Sequence, residues 1–388
     1  MKRLTIVGRG TAGCVAAAHF LNYTNWFVDF YYDNSIKPQA VGEGSNLILP
    51  MRLNHTVNFY HEDLPHVDGS FKYGIKKTNW SSGKSFTHNF PPPNVGYHFN
   101  AIKLQEHILS KIKDNPRCRI IESNIQHQDI DSDFIMDCSG KPEQYDDFIL
   151  PKSIPVNSVY VTQCFWDYAK FQYTLTAARP HGWVFGIPLQ NRCSIGYMYN
   201  SDVSTLDEIK EDVKIIFEEY DLIPSSTTNA FNFKNYYKKT NFTDRTAYNG
   251  NASFFLEPLE ATSIAFMDTI NRLALDVWTG EITSSIANQQ YTKHITEIEN
   301  VIMLHYYAGS TFDTEFWKLA KKNGTVNMQS AIKNPKFLEM IEYSKHNNPN
   351  IQAKEDFGTW GLGAFYQNFH NLDLYNKIDQ LKLYPYQF

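Results

Sequence analysis

The chain has 388 residues, of which 42% are hydrophobic and 20% are charged, a composition typical of a globular protein and not of a disordered one. Its formal net charge of -5 gives no electrostatic reason to expect a nucleic-acid partner. No apolar run in the sequence reaches the length of about 18 residues that a membrane-spanning helix requires, so we expect no membrane partner.

The cysteines indicate a reducing compartment. Five of them are widely spaced and form no CxxC pair: Cys14, Cys118, Cys138, Cys164 and Cys193. An odd number without paired spacing favours reduced, buried thiols over a disulfide framework or a zinc site. The first residues already predict a strand, which predicts no signal peptide. We therefore expect a cytoplasmic protein without a bound metal.

The N-terminal segment predicts a dinucleotide-binding unit. Residues 4–7 predict a strand, residues 14–21 an alanine-rich helix and residues 26–32 a second strand. The turn GRGTAG occupies residues 8–13, and Asp33, a candidate ribose ligand, follows its last glycine by twenty residues. This is the context that the dinucleotide fingerprint requires, although it does not distinguish FAD from NAD. A glycine-rich turn without a ligand is the alternative.

Each of the three glycines of the turn has a physical role in this prediction. Gly8 permits the tight turn, Gly10 lets the backbone approach a pyrophosphate, and Gly13 allows close packing of helix and strand. Thr11 and Ala12 lie in the turn and are further candidate cofactor contacts, and the N-terminus of the helix that follows stabilises phosphate charge.

Residues 71–76 alternate between apolar and polar side chains, which predicts a strand with two unlike faces. A lysine on such a strand usually points to solvent, and we expect this of Lys76 and Lys77. If Lys72 instead faces an apolar cavity, burial favours its neutral form or demands a carboxylate partner.

The later elements are mainly helical. Residues 101–113 predict a helix, residues 134–138 an apolar strand, and Ser204 with Asp207 a capped helix start. Residues 262–307 predict two long helices separated at Gly280, and shorter helices follow. Since no internal repeat or low-complexity linker occurs, we expect interleaved domains.

Two further strings carry candidate functional residues. In residues 182–188, Trp183 and Phe185 alternate, so both can face one side of a strand. Glu257 and Glu260 lie in an otherwise apolar run, where a carboxylate is costly unless it is paired or hydrogen-bonded. The alternative for Glu260 is an acid favoured by a helix N-terminus.

Four strings in this order resemble a flavin-dependent halogenase of the tryptophan-halogenase type: residues 8–13 (GRGTAG), 71–76 (FKYGIK), 182–188 (GWVFGIP) and 255–262 (FLEPLEAT). The resemblance implies an α/β fold with a Rossmann-like FAD-binding domain of the flavin monooxygenase/GR2 type and an interleaved, mostly helical substrate module. The implied division is 1–260 for the FAD-binding domain, with a substrate-facing sheet inserted at about 71–100 and 155–200, and 261–388 for the helical module.

The resemblance also implies the catalytic residues. Lys72, not Lys76, matches the essential lysine of the family, and Glu260 matches the acid that lies near it. Thr262 and Ser263 match positions whose backbone amides contact the halide. The family usually has Ser-Thr-Gly at 261–263, where this chain has Ala-Thr-Ser.

The remaining site residues rest on the same resemblance. The loop at residues 41–46, with Val41 and Glu43, is implied to touch the flavin. Substrate and tunnel positions are implied for eight residues: Trp183, Phe185, Ile187, Pro188, His88, Phe90, Phe316 and Trp317. Trp183 and Phe185 supply bulk that keeps the organic substrate from the flavin, although the family has a second Trp where this chain has Phe185.

The implied chemistry is electrophilic aromatic halogenation. A separate NAD(P)H-dependent flavin reductase reduces FAD to FADH2. The FADH2 reacts with O2 to give a C4a-hydroperoxide. Halide attacks this species to give hypohalous acid, which is relayed past Trp183 to Lys72. Indoles and phenols are plausible small aromatic substrates. Residues 365–369 resemble the segment that grips free tryptophan, but the acidic run expected after it is replaced by residues 370–372, so we do not expect free tryptophan as the substrate.

Two alternatives stay open at this point. The nearer one is a flavin-dependent aromatic monooxygenase that hydroxylates its substrate directly. The farther one is a flavin-binding protein without catalysis, which the departures at Phe185, Ala261 and Ser263 keep open. The sequence determines neither the preferred halide nor whether the chain forms a homo-oligomer.

Overall fold

The computed structural model describes residues 1–36, 42–346 and 355–383. The chain forms two compact units, each assembled from separated segments. The first unit comprises Met1–Lys72, Pro92–Leu150 and Tyr236–Lys293, and the second comprises Tyr73–Pro91, Pro151–Asn235 and His294–Phe388. In the described ranges, no helix is long and apolar enough to cross a membrane.

A parallel sheet forms the centre of the first unit and confirms the predicted α/β class. Its strands, in spatial order, are Thr246–Tyr248, Phe134–Asp137, Arg3–Val7, Phe27–Tyr32 and Cys118–Glu122. The paired neighbours all run parallel. Such sheets are covered on both faces and therefore have nearly continuous apolar strands. Leu4 and Ile6 accordingly have no exposed surface.

The other elements of the first unit surround this sheet. One small antiparallel sheet comprises Gly42–Gly44, Ser70–Lys72 and Gly96–Asn100, and another comprises Phe148–Ile149, Tyr236–Lys238 and Phe254–Phe255. The α-helices are Thr11–Tyr23, Ile48–Val57, Ala101–Ile112 and Thr262–Thr279, and 3-10 turns cover His61–Val67, His127–Asp129, Gly250–Ala252 and Leu259–Ala261. The predicted strand–turn–helix–strand order at the N-terminus is confirmed.

The second unit is built on a mixed sheet. Its strands, in spatial order, are Ile223–Asn232, Ser158–Phe165, Arg192–Tyr199, Gly182–Pro188, Thr174–Arg179, Gly74–Thr78 and Phe86–Asn89. Helix Leu206–Glu219 buries Ile209, Val213 and Ile216 in the apolar cluster of this unit. Further helices are Glu315–Ala331, Pro335–Lys345, Leu362–Asn371 and Leu374–Leu383.

The two predicted long helices are confirmed as Thr262–Thr279 and Ser284–Ala308. Gly280 ends the first of them with a left-handed backbone (φ 84°) and donates its N–H to the carbonyl of Val277. Glycine adopts this conformation without steric cost, which makes it a common helix terminator.

The predicted single strand over 71–76 is wrong. Ser70–Lys72 and Gly74–Thr78 are separate strands in different sheets. The break lies at Tyr73, whose N–H donates to Gln172 O and whose carbonyl accepts the N–H of Phe90. Lys77 is also not a surface residue: it has no exposed area, and its Nζ donates to Asn368 Oδ1 at 2.6 Å.

Several boundaries differ from the predictions. The helix predicted over residues 14–21 already begins at Thr11 and runs to Tyr23. The helix expected to start at Ser204 begins at Leu206, because Thr205 is its N-cap and forms a reciprocal capping box with Glu208. The first unit extends past residue 260 to Lys293. The helix Thr262–Thr279 belongs to it because this helix packs against Thr11–Tyr23.

Candidate active site

The glycine turn forms a cradle at the end of the first strand. Gly8 has a φ of 110°, and a Cβ there would lie 2.1 Å from the carbonyl oxygen of Cys138. A Cβ on Gly13 would lie 1.9 Å from Gly8 O, whereas a Cβ on Gly10 would meet nothing within 4 Å. Gly8 and Gly13 are therefore required by packing, and the space beside Gly10 is open for a ligand.

The helix that follows offers hydrogen-bond donors to this space. It begins at Thr11 with Gly10 as N-cap, has no side-chain cap and carries no acidic residue in its first turn. The first N–H groups of a helix lack partners within the helix and favour anions. The turn, with Thr11 and Ala12, therefore fits the pyrophosphate of a dinucleotide.

Asp33 lies directly after the strand Phe27–Tyr32, where a ribose ligand is expected. Its Oδ1 accepts the N–H of Ser35 at 2.8 Å, and its Oδ2 accepts from Asn124 Nδ2 at 3.4 Å. Hydrogen bonding to Ser35 holds the pKa of Asp33 below its usual value. The carboxylate is thus ionised and oriented by local contacts, and it is only partly buried.

Glu43 connects the small sheet to the glycine turn. Thr11 Oγ1 donates to Glu43 Oε1 at 3.4 Å, and Gln105 Nε2 donates to Thr11 Oγ1 at 3.2 Å. Burial raises the pKa of Glu43 to about 7. This contact places Glu43 at the start of the helix Thr11–Tyr23, where the resemblance implies a flavin contact. Val41, the second residue expected there, lies outside the described residues.

Lys72 is fully buried at the end of the strand Ser70–Lys72. The register with the central strand places Lys72 opposite Gly96 and Ser70 opposite His98. His98 is also fully buried, and Ser70 Oγ lies 3.3 Å from its Nδ1. Burial and the charge of Lys72 hold the pKa of His98 well below its usual value. A neutral imidazole therefore lies near the buried lysine, and the sequence interpretation missed it.

The small sheet separates Lys72 from the contact between Glu43 and Thr11. Residues paired directly across an antiparallel sheet share a face, and successive residues alternate between faces. The register therefore puts Ser70, Lys72 and His98 on one face, and Glu43 with its partner Phe99 on the other. Glu43 also contacts Thr11, so one layer of backbone lies between the lysine face and the face directed at the glycine turn.

Glu260 precedes the helix Thr262–Thr279 in an unusual conformation. Glu260 and Ala261 both have left-handed backbones, with φ of 71° and 52°, and Glu260 is 6% exposed. Such conformations cost about 1–2 kcal/mol for a residue other than glycine. Thr262 has an ordinary helical φ of -75°, and Ser263 is not among the described residues with positive φ. A glycine at 263 is therefore not required by the backbone.

Thr262 and Ser263 form the N-terminus of this helix. Ala261, the N-cap, provides no side-chain hydrogen bond, and the first turn contains no acidic residue. The backbone N–H groups of such a terminus attract anions. The arrangement suits the halide contact expected at Thr262 and Ser263.

In the second unit, Trp183 and Phe185 lie on the strand Gly182–Pro188, which also carries Ile187 and Pro188. The two rings are 6.1 Å apart, and Trp183 Nε1 donates to the Tyr306 hydroxyl at 3.0 Å. Trp183 is fully buried and Phe185 is partly buried.

The other residues expected around the substrate also lie in the second unit. His88 is 7% exposed, and its ring lies 6.0 Å from Phe90 and 6.3 Å from Trp360, an aromatic that the sequence interpretation missed. Phe316 and Trp317 begin the helix Glu315–Ala331 and are buried. Trp317 Nε1 donates to the carbonyl of Arg179 at 2.7 Å, so its single donor is already used by the fold.

The sequence profile of the family described as tryptophan halogenase matches residues 3–126 and 121–348 of this chain. The chain is 22% identical over 261 residues to tryptophan 7-halogenase RebH from Lentzea aerocolonigenes, an alignment that covers 59% of this chain and 49% of the relative. It is 24% identical over 205 residues to tryptophan 6-halogenase ThaL from Streptomyces albogriseolus, an alignment that covers 51% of this chain and 36% of the relative. The matched part of the chain thus spans half or less of the length of these curated relatives.

Solved structures share the fold over nearly the whole chain. A tryptophan halogenase from Shewanella frigidimarina superposes with a TM-score of 0.78 at 19% identity, covering 96% of this chain and 89% of that one. BrvH, a flavin-dependent halogenase from Brevundimonas sp. BAL3, superposes with a TM-score of 0.75 at 18% identity, covering 98% of this chain and 92% of that one.

Proposed function

The chain belongs to the tryptophan halogenase family, and from this premise we propose that it is a flavin-dependent halogenase acting on an electron-rich aromatic compound such as an indole or a phenol. The observation that carries the proposal is the buried Lys72 beside a neutral His98, on the sheet face opposite to Glu43. When bound, the reduced flavin would supply hypohalous acid from O2 and halide, after its reduction by a separate NAD(P)H-dependent reductase.

The first unit provides the contacts to hold the flavin. The open space at Gly10 and the helix N-terminus at Thr11 accept the pyrophosphate. Asp33 accepts from a ribose hydroxyl. Glu43 has a pKa of about 7, so near neutral pH it can act as either donor or acceptor towards the cofactor.

Lys72 binds the hypohalous acid and directs it at the arene. Its Nζ donates a hydrogen bond to the oxygen of the acid, which makes the halogen more electrophilic. Because His98 is held neutral, it adds no second positive charge beside Lys72. Lys72 can therefore carry its charge and donate to the oxidant without repulsion from an imidazolium at His98.

Glu260 is the proposed base of the reaction. It orients the bound oxidant and accepts the proton that leaves the ring after electrophilic attack. Its left-handed backbone conformation costs free energy, and such conformations occur preferentially at functional sites. Thr262 and Ser263 hold the halide through the backbone N–H groups that follow.

The separation of Lys72 from the cofactor face has a chemical use. The oxidant can form on one face of the small sheet and be used on the other, so that position selectivity is set where the arene binds. Trp183 and Phe185 are proposed to provide the bulk that prevents direct oxygen transfer to the substrate. Free tryptophan is not the proposed substrate, because residues 370–372 lack the acidic run expected to bind its amino group. A cytoplasmic location is part of the proposal.

Product mass spectrometry tests the proposed function. The protein is supplied with FAD, a flavin reductase, NADH and a panel of small arenes, with chloride, bromide and iodide in separate reactions. The proposal predicts a halogen mass shift that follows the halide supplied. A gain of one oxygen would support the aromatic monooxygenase, and flavin oxidation without product from any arene would support a non-catalytic flavin protein.

A further inference from the structure

Three potential metal ligands converge in the first unit, although the sequence predicts no metal. Asp63 and His66 lie on the 3-10 turn His61–Val67, and His107 lies on the helix Ala101–Ile112. One ligand atom from each lies within 4.8 Å of the others. We propose that these three side chains bind a divalent transition metal of the zinc class.

The carboxylate is already oriented for this role. Asp63 Oδ2 accepts the N–H of Tyr60 at 2.8 Å, which fixes the carboxylate and directs Oδ1 towards His66. His66 Nδ1 lies 3.5 Å from Asp63 Oδ1. Tetrahedral zinc bonds of about 2.0–2.1 Å hold two ligand atoms about 3.4 Å apart, so this pair has the spacing of a metal site.

His107 is the third ligand of the proposed site. The rings of His66 and His107 are stacked with centroids 6.0 Å apart, and His107 packs edge-on against Phe59 at 5.1 Å. His107 Nε2 is buried and has no hydrogen-bond partner among the described residues. A buried polar atom without a partner is unusual, and a metal ion would satisfy it.

The ligand types select the metal. Two imidazoles and one carboxylate suit Zn²⁺ and neighbouring transition metals and do not suit Mg²⁺ or Ca²⁺, which prefer oxygen ligands. At His107, the negative charge of Asp63 opposes the larger effect of the Lys111 cation. Three protein ligands leave a fourth position for water.

A metal here would join two elements next to the candidate active site. The 3-10 turn leads directly into the strand Ser70–Lys72, and the helix of His107 follows the central strand Gly96–Asn100. The ion would therefore brace the connection that positions Lys72. Since the flavin contacts lie elsewhere, metal binding does not depend on the proposed halogenase activity.

Zinc titration of the metal-stripped, tag-free protein tests the site. Isothermal titration calorimetry should show one Zn²⁺ bound per chain for the wild type. Co²⁺ bound at the same site should give a visible absorption band typical of a low coordination number. His66→Gln and Asp63→Asn should each raise the dissociation constant more than tenfold, since even partners outside the metal shell are worth about 10–100-fold. Asp63→Asn retains an oxygen acceptor for the N–H of Tyr60, so the turn is preserved.

The matched control is His55→Gln, on the exposed side of the helix Ile48–Val57, which should bind zinc as the wild type does. Zinc should also raise the melting temperature of the wild type and of His55→Gln but not of His66→Gln. Equal zinc affinity in the wild type, His66→Gln and Asp63→Asn would overturn the proposal, as would no zinc binding by the wild type. Either result leaves the halogenase proposal untouched, because its product assay is separate.

Discussion

Replacing Gly10 by alanine should separate flavin binding from folding. A Cβ at this position meets no protein atom within 4 Å, and Gly10 has an extended backbone (φ -67°, ψ 176°) that alanine adopts freely. A compatible Gly→Ala change stabilises by about 0.4–1 kcal/mol, whereas loss of a glycine N-cap costs a similar amount. The free energy of unfolding should therefore change by less than about 1 kcal/mol.

Gly8→Ala is the contrasting variant. The left-handed backbone alone costs roughly 1–2 kcal/mol, and the new Cβ would overlap the backbone carbonyl of Cys138 at 2.1 Å. Because neither backbone can move freely, we expect a loss above about 3 kcal/mol.

Urea unfolding of the apoprotein measures both stabilities, and quenching of FAD fluorescence measures binding. The Gly10→Ala protein should unfold like the wild type but bind FAD at least tenfold more weakly, because its methyl group would occupy the space proposed for the pyrophosphate. Wild-type FAD affinity in Gly10→Ala would refute the proposed position of the cofactor. Wild-type stability in Gly8→Ala would refute the packing argument.

Further predictions concern pH, packing and backbone strain. Burial raises the pKa of Glu43 from 4.5 to about 7, so the folded state holds this proton more tightly and the free energy of unfolding falls as the pH rises through that range. Urea unfolding at pH 5 and at pH 8 measures this decrease in the free energy of unfolding, and the decrease should be smaller in Glu43→Gln than in the wild type. An equal decrease in both proteins would contradict the raised pKa of Glu43. Gly196→Ala should destabilise by about 1–3 kcal/mol, because its Cβ would lie 2.0 Å from the Phe185 ring; unaltered chemical denaturation would show that the ring has room to move. Ala261→Gly should stabilise by about 1 kcal/mol by relieving a φ of 52°, whereas Ala265→Gly, in the interior of the same helix, should destabilise by at least as much. If Ala261→Gly and Ala265→Gly both lowered the free energy of unfolding, the proposed strain at Ala261 would be refuted.

The sequence predicts those parts of the fold that local chemistry determines. Gly8 and Gly13 are needed by contacts between neighbouring elements, so the turn and its flanking strand and helix could be recognised from the spacing. Gly280 likewise ends its helix through its own left-handed backbone. Both features are visible within a short stretch of sequence, even though the contact that requires Gly8 is made with the distant Cys138.

Features that depend on tertiary pairing could not be predicted. The alternation of residues 71–76 continues unbroken through Tyr73, although the hydrogen bonds of Tyr73 divide the segment between two sheets. The sequence pattern predicts Lys77 at the surface, but its Nζ donates a hydrogen bond to Asn368, which lies 291 residues later in the chain. His98 reaches Lys72 only through the register of the small sheet.

In the proposed reaction, Lys72 acts on the oxidant after the flavin has produced it. The most direct measurement compares wild type and Lys72→Ala for oxygen consumption, for halogenation of a small trap in solution and for halogenation of the arene. The account predicts that Lys72→Ala consumes oxygen and halogenates the trap like the wild type but forms no halogenated arene. If Lys72→Ala lost both oxygen consumption and arene halogenation while still binding FAD, this order of events would be contradicted, because Lys72 would then be needed for the flavin chemistry itself.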